Sequence, residues 1–457
     1  MPVEIQLRAV TVIPGMKQHA IVIGGSMAGL LAARVLTDHF EQVTIVERDT
    51  FPAVGENRRG VPQGKHTHGL LAGGARVLDQ LFPGFTREIA AAGALPGDIA
   101  STCRWFHGGG YLARPASGLE GILASRPLIE GIVRQRVLAL PRVRVLQGQE
   151  AVGLLSQHSH VTGVELSGGV RLDADLVVNC CGRASHGPDW LKKLGYEQPR
   201  TERVEVAIGY TTRLFRRRPE HLDGDLAAII APNPQNRRGG VMLAQEHDRW
   251  TVTLLSYFGN YAPSDLAGFR HYAHSLECPD IAHVLDHAEP IGEALTMRYP
   301  ASVRQRYEEL TRFPRGYLTF GDAICSFNPI YGQGMTSAAM QAKALGECLG
   351  SADLARDFFR RAAAVVDIPW GIAVGADLRI PETVGPRTAM VKFINWYIGK
   401  LHVAAHHDGN LAIAFHRVAN LLAPPASLLT PAMAWRVWRG QHSAPPARMG
   451  APSVSRT

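Results

Sequence analysis

The chain has 457 residues, of which 46% are apolar and 19% charged, with a formal net charge of +8 at pH 7 and a pI near 9.3. That much apolar content over that length excludes a disordered or fibrous chain and allows two domains or one large composite. The basic residues are scattered with no nucleic-acid recognition module, no uncharged apolar run reaches the roughly eighteen residues of a membrane span, and the six cysteines, at 103, 180, 181, 278, 325 and 348, show neither CxxC pairs nor metal-ligand spacing.

Residues 1–16 read as a flexible tail; they lack the basic start and apolar core of a signal peptide, so a cytoplasmic protein is expected. The segment IVIGGSMAGLLAARVL at 21–36 then gives a strand to Ile23, a turn at Gly24, Gly25 and Ser26, and a helix opening near Met27, Ala28 and Gly29. Backbone N–H groups at such a helix start face a pyrophosphate. Ser26 replaces the middle glycine of the usual fingerprint and is small enough to keep the turn, while Ala33 keeps the helix slim. The next strand, 42–46, ends in Glu47, eighteen residues after Gly29, where a carboxylate suits the hydroxyls of an adenosine ribose; Arg48 follows it.

Strands are expected at 144–147, 161–166 and 175–180, completing the sheet on the adenine side. Short β-rich runs at 204–215, 226–231, 240–245 and 250–258, split by NPQNRRGG and EHDR turns, predict an antiparallel meander. Met242, Leu254, Tyr257 and Phe258 are its candidate substrate-lining residues, although strand alternation sends some of them to the opposite face. The second glycine signal, FGDAICSFNPIYGQGMTSAAMQA at 320–342, sets a strand end before a helix at 335–348, whose N-terminus stabilises negative charge on a reduced flavin. Either glycine signal alone is weak; together they read as the two ends of one FAD. From Asp353 onward the chain reads as helices. Proline breaks in PWGIAVGADLRIPETVGPR precede helical spacing at 390–401, 411–422 and 432–439. Trp435 and Trp438 share one face of the last helix, flanked by Arg436 and Arg439, a face suited to docking over the active site or to peripheral contact with a membrane surface.

These motifs resemble the flavoprotein monooxygenases of the para-hydroxybenzoate hydroxylase type, and within them the squalene epoxidase-like and polyether epoxidase-like branch. The resemblance implies an α/β fold. A Rossmann-type FAD-binding domain at 17–187 and 300–350 is interleaved with an antiparallel β-sheet substrate domain at 188–299, and a C-terminal helical region follows at 351–457. It implies that Asp322 of the GD pair binds the ribityl chain and that a loop with Pro329, Gly332, Gln333, Gly334 and Met335 faces the pyrimidine edge of the flavin. It further implies that Arg126, between the cap Ser125 and Pro127, contacts FAD, and that Val152 offers a backbone contact to adenine. The segment RRGVPQGKHTHGLL would run toward the flavin, with Arg58 and Arg59 on cofactor phosphate, holding the loop over the ring, or simply solvated. His66 and His68 lack a third ligand, so no metal is expected.

The implied activity inserts one oxygen atom of dioxygen into an apolar small molecule through a flavin hydroperoxide, most simply by epoxidation of a polyketide or terpenoid alkene. Tyr210, Tyr257, Tyr261 and His271 are the acid–base groups of the inserted sheet, and none reads as a phenol-activating base; no catalytic residue is assigned. An aromatic hydroxylase, a flavin-dependent prenyl reductase of related fold and a non-enzymatic flavin-binding protein are the alternatives. Where aromatic hydroxylases carry an aspartate–glycine motif, this chain reads NCCGRASHGPDWLKKLGY from Asn179. The NAD(P)H docking that the resemblance would imply therefore does not carry over; NAD(P)H is expected as the ultimate electron donor, directly or through a flavin reductase, and the positive charge suits an acidic reductase or carrier protein.

Overall fold

The computed structural model describes residues 17–441, so the tail at 1–16 lies outside the described residues. A five-stranded, wholly parallel sheet has the order Tyr317–Thr319, Leu176–Asn179, Lys17–Ile23, Phe40–Glu47, Val143–Gln147. The C-terminal halves of Lys17–Ile23 and Phe40–Glu47 are covered on both faces, and Ile21, Val22, Val43 and Ile45 are fully buried. The helices Met27–Leu36 and Gly334–Cys348 pack against each other within the same core.

The crossing from the first strand to its helix requires glycine twice. Gly24 has φ +98°, and a Cβ there would stand 2.8 Å from the Cys180 carbonyl oxygen. A Cβ on Gly29 would stand 1.8 Å from the Gly24 oxygen, so the turn closes onto the helix only without a side chain. The strand His160–Leu166 departs from expectation. It does not complete the parallel sheet but pairs antiparallel with Ala151–Gln157 and Arg171–Asp173 in a separate three-stranded sheet. The connections on either side of it are short turns, which join antiparallel neighbours and cannot make a parallel crossover.

The second layer is an eight-stranded sheet in the order Cys325–Ser326, Pro290–Arg306, Arg200–Arg216, Arg249–Tyr257, Arg238–Gln245, Ala227–Ile230, Cys103–His107, Gly110–Tyr111. The expected meander forms its centre, but the sheet also draws strands from outside 188–299. Cys103–His107 joins it parallel to Ala227–Ile230, Cys325–Ser326 joins its other edge, and Pro290–Arg306, paired along Arg200–Arg216, runs past residue 299. One face is covered by the helices Leu266–Ala273 and Asp280–His287, which bury Phe215, Met242, Trp250 and Leu254 against Phe269, Ile281 and Leu285. Met242 and Leu254 therefore belong to the core on the far face and not to a substrate wall. Side chains alternate with period two, and it is their neighbours Val241, Leu243, Thr253, Leu255 and Tyr257 that face the cavity.

The helix Leu354–Asp377 continues through Pro369, where a break was expected. A proline inside a helix costs about 3 kcal/mol, offset here by burial of Phe358, Phe359, Val366 and Ala373 against the core of the parallel sheet. The helices Ala389–Ala405, Gly409–Ala419 and Pro431–Gln441 complete the region. Val437 is the buried side of the last helix. Trp435 and Trp438 stack on each other at 4.9 Å and remain 58% and 55% exposed, so their face does not dock over the cavity. Among the described residues no helix is long and apolar enough to cross a membrane.

The two faces of the sheet make a testable difference. Leu254→Ala should lower stability by about 2–5 kcal/mol in denaturant unfolding with the bound flavin spectrum unchanged, whereas Leu243→Ala on the cavity side should cost clearly less.

Candidate functional site

A cavity of about 1240 Å³ runs from the first glycine turn to the C-terminal helices. It exceeds the roughly 300–1,000 Å³ typical of a small-molecule site and has room for more than one occupant. One end is lined by Gly24, Ser26, Met27 and Ala28 with Glu47, Arg48 and Arg59; Gly25 and Gly29 shape the turn without reaching the wall. The Glu47 carboxylate accepts the N–H of Gly25 at 2.7 Å and that of Asp49 at 2.8 Å, and it lies 2.7 Å from Arg58 Nη1. Arg58 is not solvated, and it lines this end of the cavity. It is 8% exposed and stands between Glu47 and Glu130, the latter at 3.6 Å.

Ser26 shows what replaced the middle glycine. Its Oγ donates to Glu130 at 3.0 Å and accepts from Arg126 Nη2 at 3.0 Å, while Arg126 also pairs with Glu130 at 2.9 Å. The turn is thereby tied to the helix Arg126–Leu138, whose cap is Ser125, accepting from the Leu128 N–H at 3.3 Å. Burial pushes the Glu130 carboxyl up, but Arg126 and Arg58 together bring it below its ordinary value. Val152 is 47% exposed, and the wall at the adenine side is formed by its neighbours Gln149, Glu150 and Ala151.

Farther along, Asp322, Pro329, Gly332, Gly334 and Met335 line the same cavity. Asp322 opens into it yet is surrounded by protein, and that burial raises its carboxyl above the ordinary value against the opposing pull of Arg126 and Arg183. The helices beginning at Met27 and at Gly334 both lack a side-chain cap. Each therefore presents unpaired backbone N–H groups and the positive end of its dipole to the cavity. This arrangement fits FAD. Gly24 to Ala28 would hold the pyrophosphate, Glu47 a ribose, Asp322 the ribityl chain, and Gly332 to Met335 the edge of a ring that becomes anionic on reduction. His66 and His68 stand in the wall as neutral rings, both held at about 4 by burial. His66 Nδ1 lies 2.8 Å from Thr212 Oγ1, and His68 Nδ1 lies 2.9 Å from the His66 carbonyl. Among the described residues no cluster of three side chains could hold a metal.

The remaining chamber is apolar. The helix Leu354–Asp377 turns Ile368, Gly371, Ile372, Gly375 and Ala376 toward it at helical spacing, and a Cβ on Gly371 or Gly375 would meet nothing within 4 Å. Tyr257 ends its strand and lines this space, whereas Phe258, just past the strand at φ +52°, packs beside the cluster of Tyr210 and Tyr299. Behind the wall is a group that sequence reasoning missed. Asp377 Oδ1 accepts from Tyr257 OH at 2.7 Å, Tyr331 OH at 2.9 Å and Asn328 Nδ2 at 3.0 Å, and burial lifts its carboxyl to about 6. Both tyrosines line the cavity. The network joins the inserted sheet, the second glycine loop and the C-terminal helix, so no single segment of the sequence displays it.

The FAD binding domain family matches residues 17–353. Protein Rv3254 of Mycobacterium tuberculosis is 34% identical over 375 residues, 78% of this chain and 79% of its own length. Kynurenine 3-monooxygenase of Salinispora arenicola is 26% identical over 367 residues, 73% of this chain and 72% of its own length. Pseudomonas aeruginosa PqsL, solved in complex with 2-aminobenzoylacetate, shares the fold with a TM-score of 0.61 at 17% identity, covering 79% of this chain and 97% of PqsL. The chain belongs to the FAD binding domain family.

Proposed function

We propose that the protein inserts one oxygen atom of dioxygen into an electron-rich, unsaturated carbon of an apolar metabolite, with epoxidation of a polyketide or terpenoid alkene as the simplest form. The observation that carries this reading is the single cavity that joins both glycine turns to an apolar chamber walled by the C-terminal helices. FAD, when bound, supplies the activation of dioxygen. The chain's own residues supply the rest. The uncapped helix start at Gly334 favours negative charge beside it. Ile368, Ile372 and Phe415 exclude water, and the glycines at 371 and 375 leave room for a substrate to be oriented. NAD(P)H is the ultimate electron donor in this proposal, directly or through a separate flavin reductase.

Hydroxylation of an aromatic ring is the second reading, and Asp377 favours it. An alkene needs only orientation, but a phenol gains from losing its proton. The Asp377 carboxylate is placed to draw that proton through Tyr257 or Tyr331, and the likeness to a kynurenine 3-monooxygenase supports the same reading. The lack of a base in the inserted sheet therefore no longer argues for epoxidation.

Turnover of candidate alkenes and phenols under labelled dioxygen separates the readings. Epoxidation adds one labelled oxygen with loss of the double bond, and ring hydroxylation adds it with the ring retained. A product that gains two hydrogens without oxygen would contradict both.

The pH profile provides a further check. In the hydroxylation reading kcat/KM rises as Asp377 loses its proton near pH 6, and Asp377→Asn abolishes that limb; epoxidation shows no such limb. The folded state also holds this proton more tightly than the unfolded chain, whose carboxyl titrates near 3.8. Asp377 thus lowers stability as pH rises between about 4 and 6, and unfolding of the Asn variant should lack that slope.

A further inference from the structure

Two residues beyond Asp377, Arg379 comes to line the same apolar chamber. Its Nε donates to the Ala376 carbonyl at 3.3 Å, and among the described residues its guanidinium forms no ion pair. The adjacent acid, Asp377, is engaged by Tyr257, Tyr331 and Asn328. In the same electrostatic neighbourhood stand two imidazoles from distant parts of the chain. His107 ends the strand Cys103–His107 and His402 lies in the helix Ala389–Ala405; their ring centroids are 4.6 Å apart and both rings line the chamber. His402 is 4% exposed and its Nε2 has no hydrogen-bond partner.

Burial keeps both rings uncharged, His107 at about 3 and His402 well below its ordinary value, with the nearby Arg379 acting in the same direction on His107. The rings can therefore donate an N–H to an anion without adding a charge of their own. Arg379 is half-buried, and beyond the Nε bond no hydrogen bond engages its guanidinium, so its outer nitrogens are open to an anion in the chamber even though Asp377 shares its electrostatic neighbourhood. A guanidinium matches a planar carboxylate through two parallel N–H bonds.

We propose that Arg379, with His402 and His107, binds a carboxylate carried by the otherwise apolar substrate. This rests on the reading of the chamber as the substrate site and narrows the substrate class to unsaturated carboxylic acids. The probes are 2-naphthoate and its neutral isostere 2-naphthamide, titrated calorimetrically into the FAD-loaded protein without turnover. The acid should bind the wild type about tenfold tighter than the amide. Arg379→Met and Arg379→Gln should each abolish that preference while leaving the affinity for the amide and the flavin spectrum unchanged. Equal binding of the two probes, no binding of the acid, or a preference that survives both substitutions would overturn the proposal. A preference for the acid in a protein that never oxygenates any substrate would refute the oxygenase reading and leave the carboxylate site standing.

Discussion

The buried ion-pair cluster beneath the first glycine turn is the constraint on which the cofactor end of the cavity depends. Glu47 and Glu130 face Arg58 and Arg126, all with little solvent contact, and Ser26 and the Gly25 N–H complete the set. Charges taken out of water are tolerated only when every one is matched, and removing one partner from such a cluster costs about 3–5 kcal/mol. The four side chains come from a strand end, a loop and a helix. Strand, loop, helix and turn must therefore assemble together, and once assembled they hold Gly24 to Ala28 open toward the cavity.

A division of labour follows along that cavity. Its two uncapped helix starts are polar ends made from backbone, insensitive to side-chain rotamers, and they suit the charged parts of a long cofactor. The chamber beyond is shaped by what is missing from side chains, namely the small residues of the helix Leu354–Asp377. Polar groups enter it at few points, through Tyr257, Tyr331 and the Arg379 neighbourhood, and such sparse placement within an apolar wall is how orientation and specificity are set.

How much of this was legible in the chain depends on how local each signal is. The turn at Gly24 to Gly29, Glu47, the Ser125 cap and the loop from Pro329 to Met335 are written in adjacent residues, because a tight turn or a helix start selects its residues locally. Arg58 and Glu130 carry no such mark. An arginine on a loop and a glutamate on a helix look solvated until tertiary packing buries them together. Met242 and Leu254 were placed on the wrong face because alternation gives the period of a strand but not which face meets the helices. Pro369 was read as a break because local propensity was weighed without the core that the helix buries. Asp377, Arg379 and His402 gain meaning only when the C-terminal helices fold back over the sheet, which brings Asp377 to Tyr257 across 120 residues.

One FAD is expected to span both glycine turns of the cavity. Amide hydrogen exchange of the apoprotein, followed as FAD is added, tests it most directly. If one FAD spans both turns, exchange slows at residues 24–29 and 332–336 together, saturating at one FAD per chain. Protection at 24–29 with no change at 332–336 would contradict it.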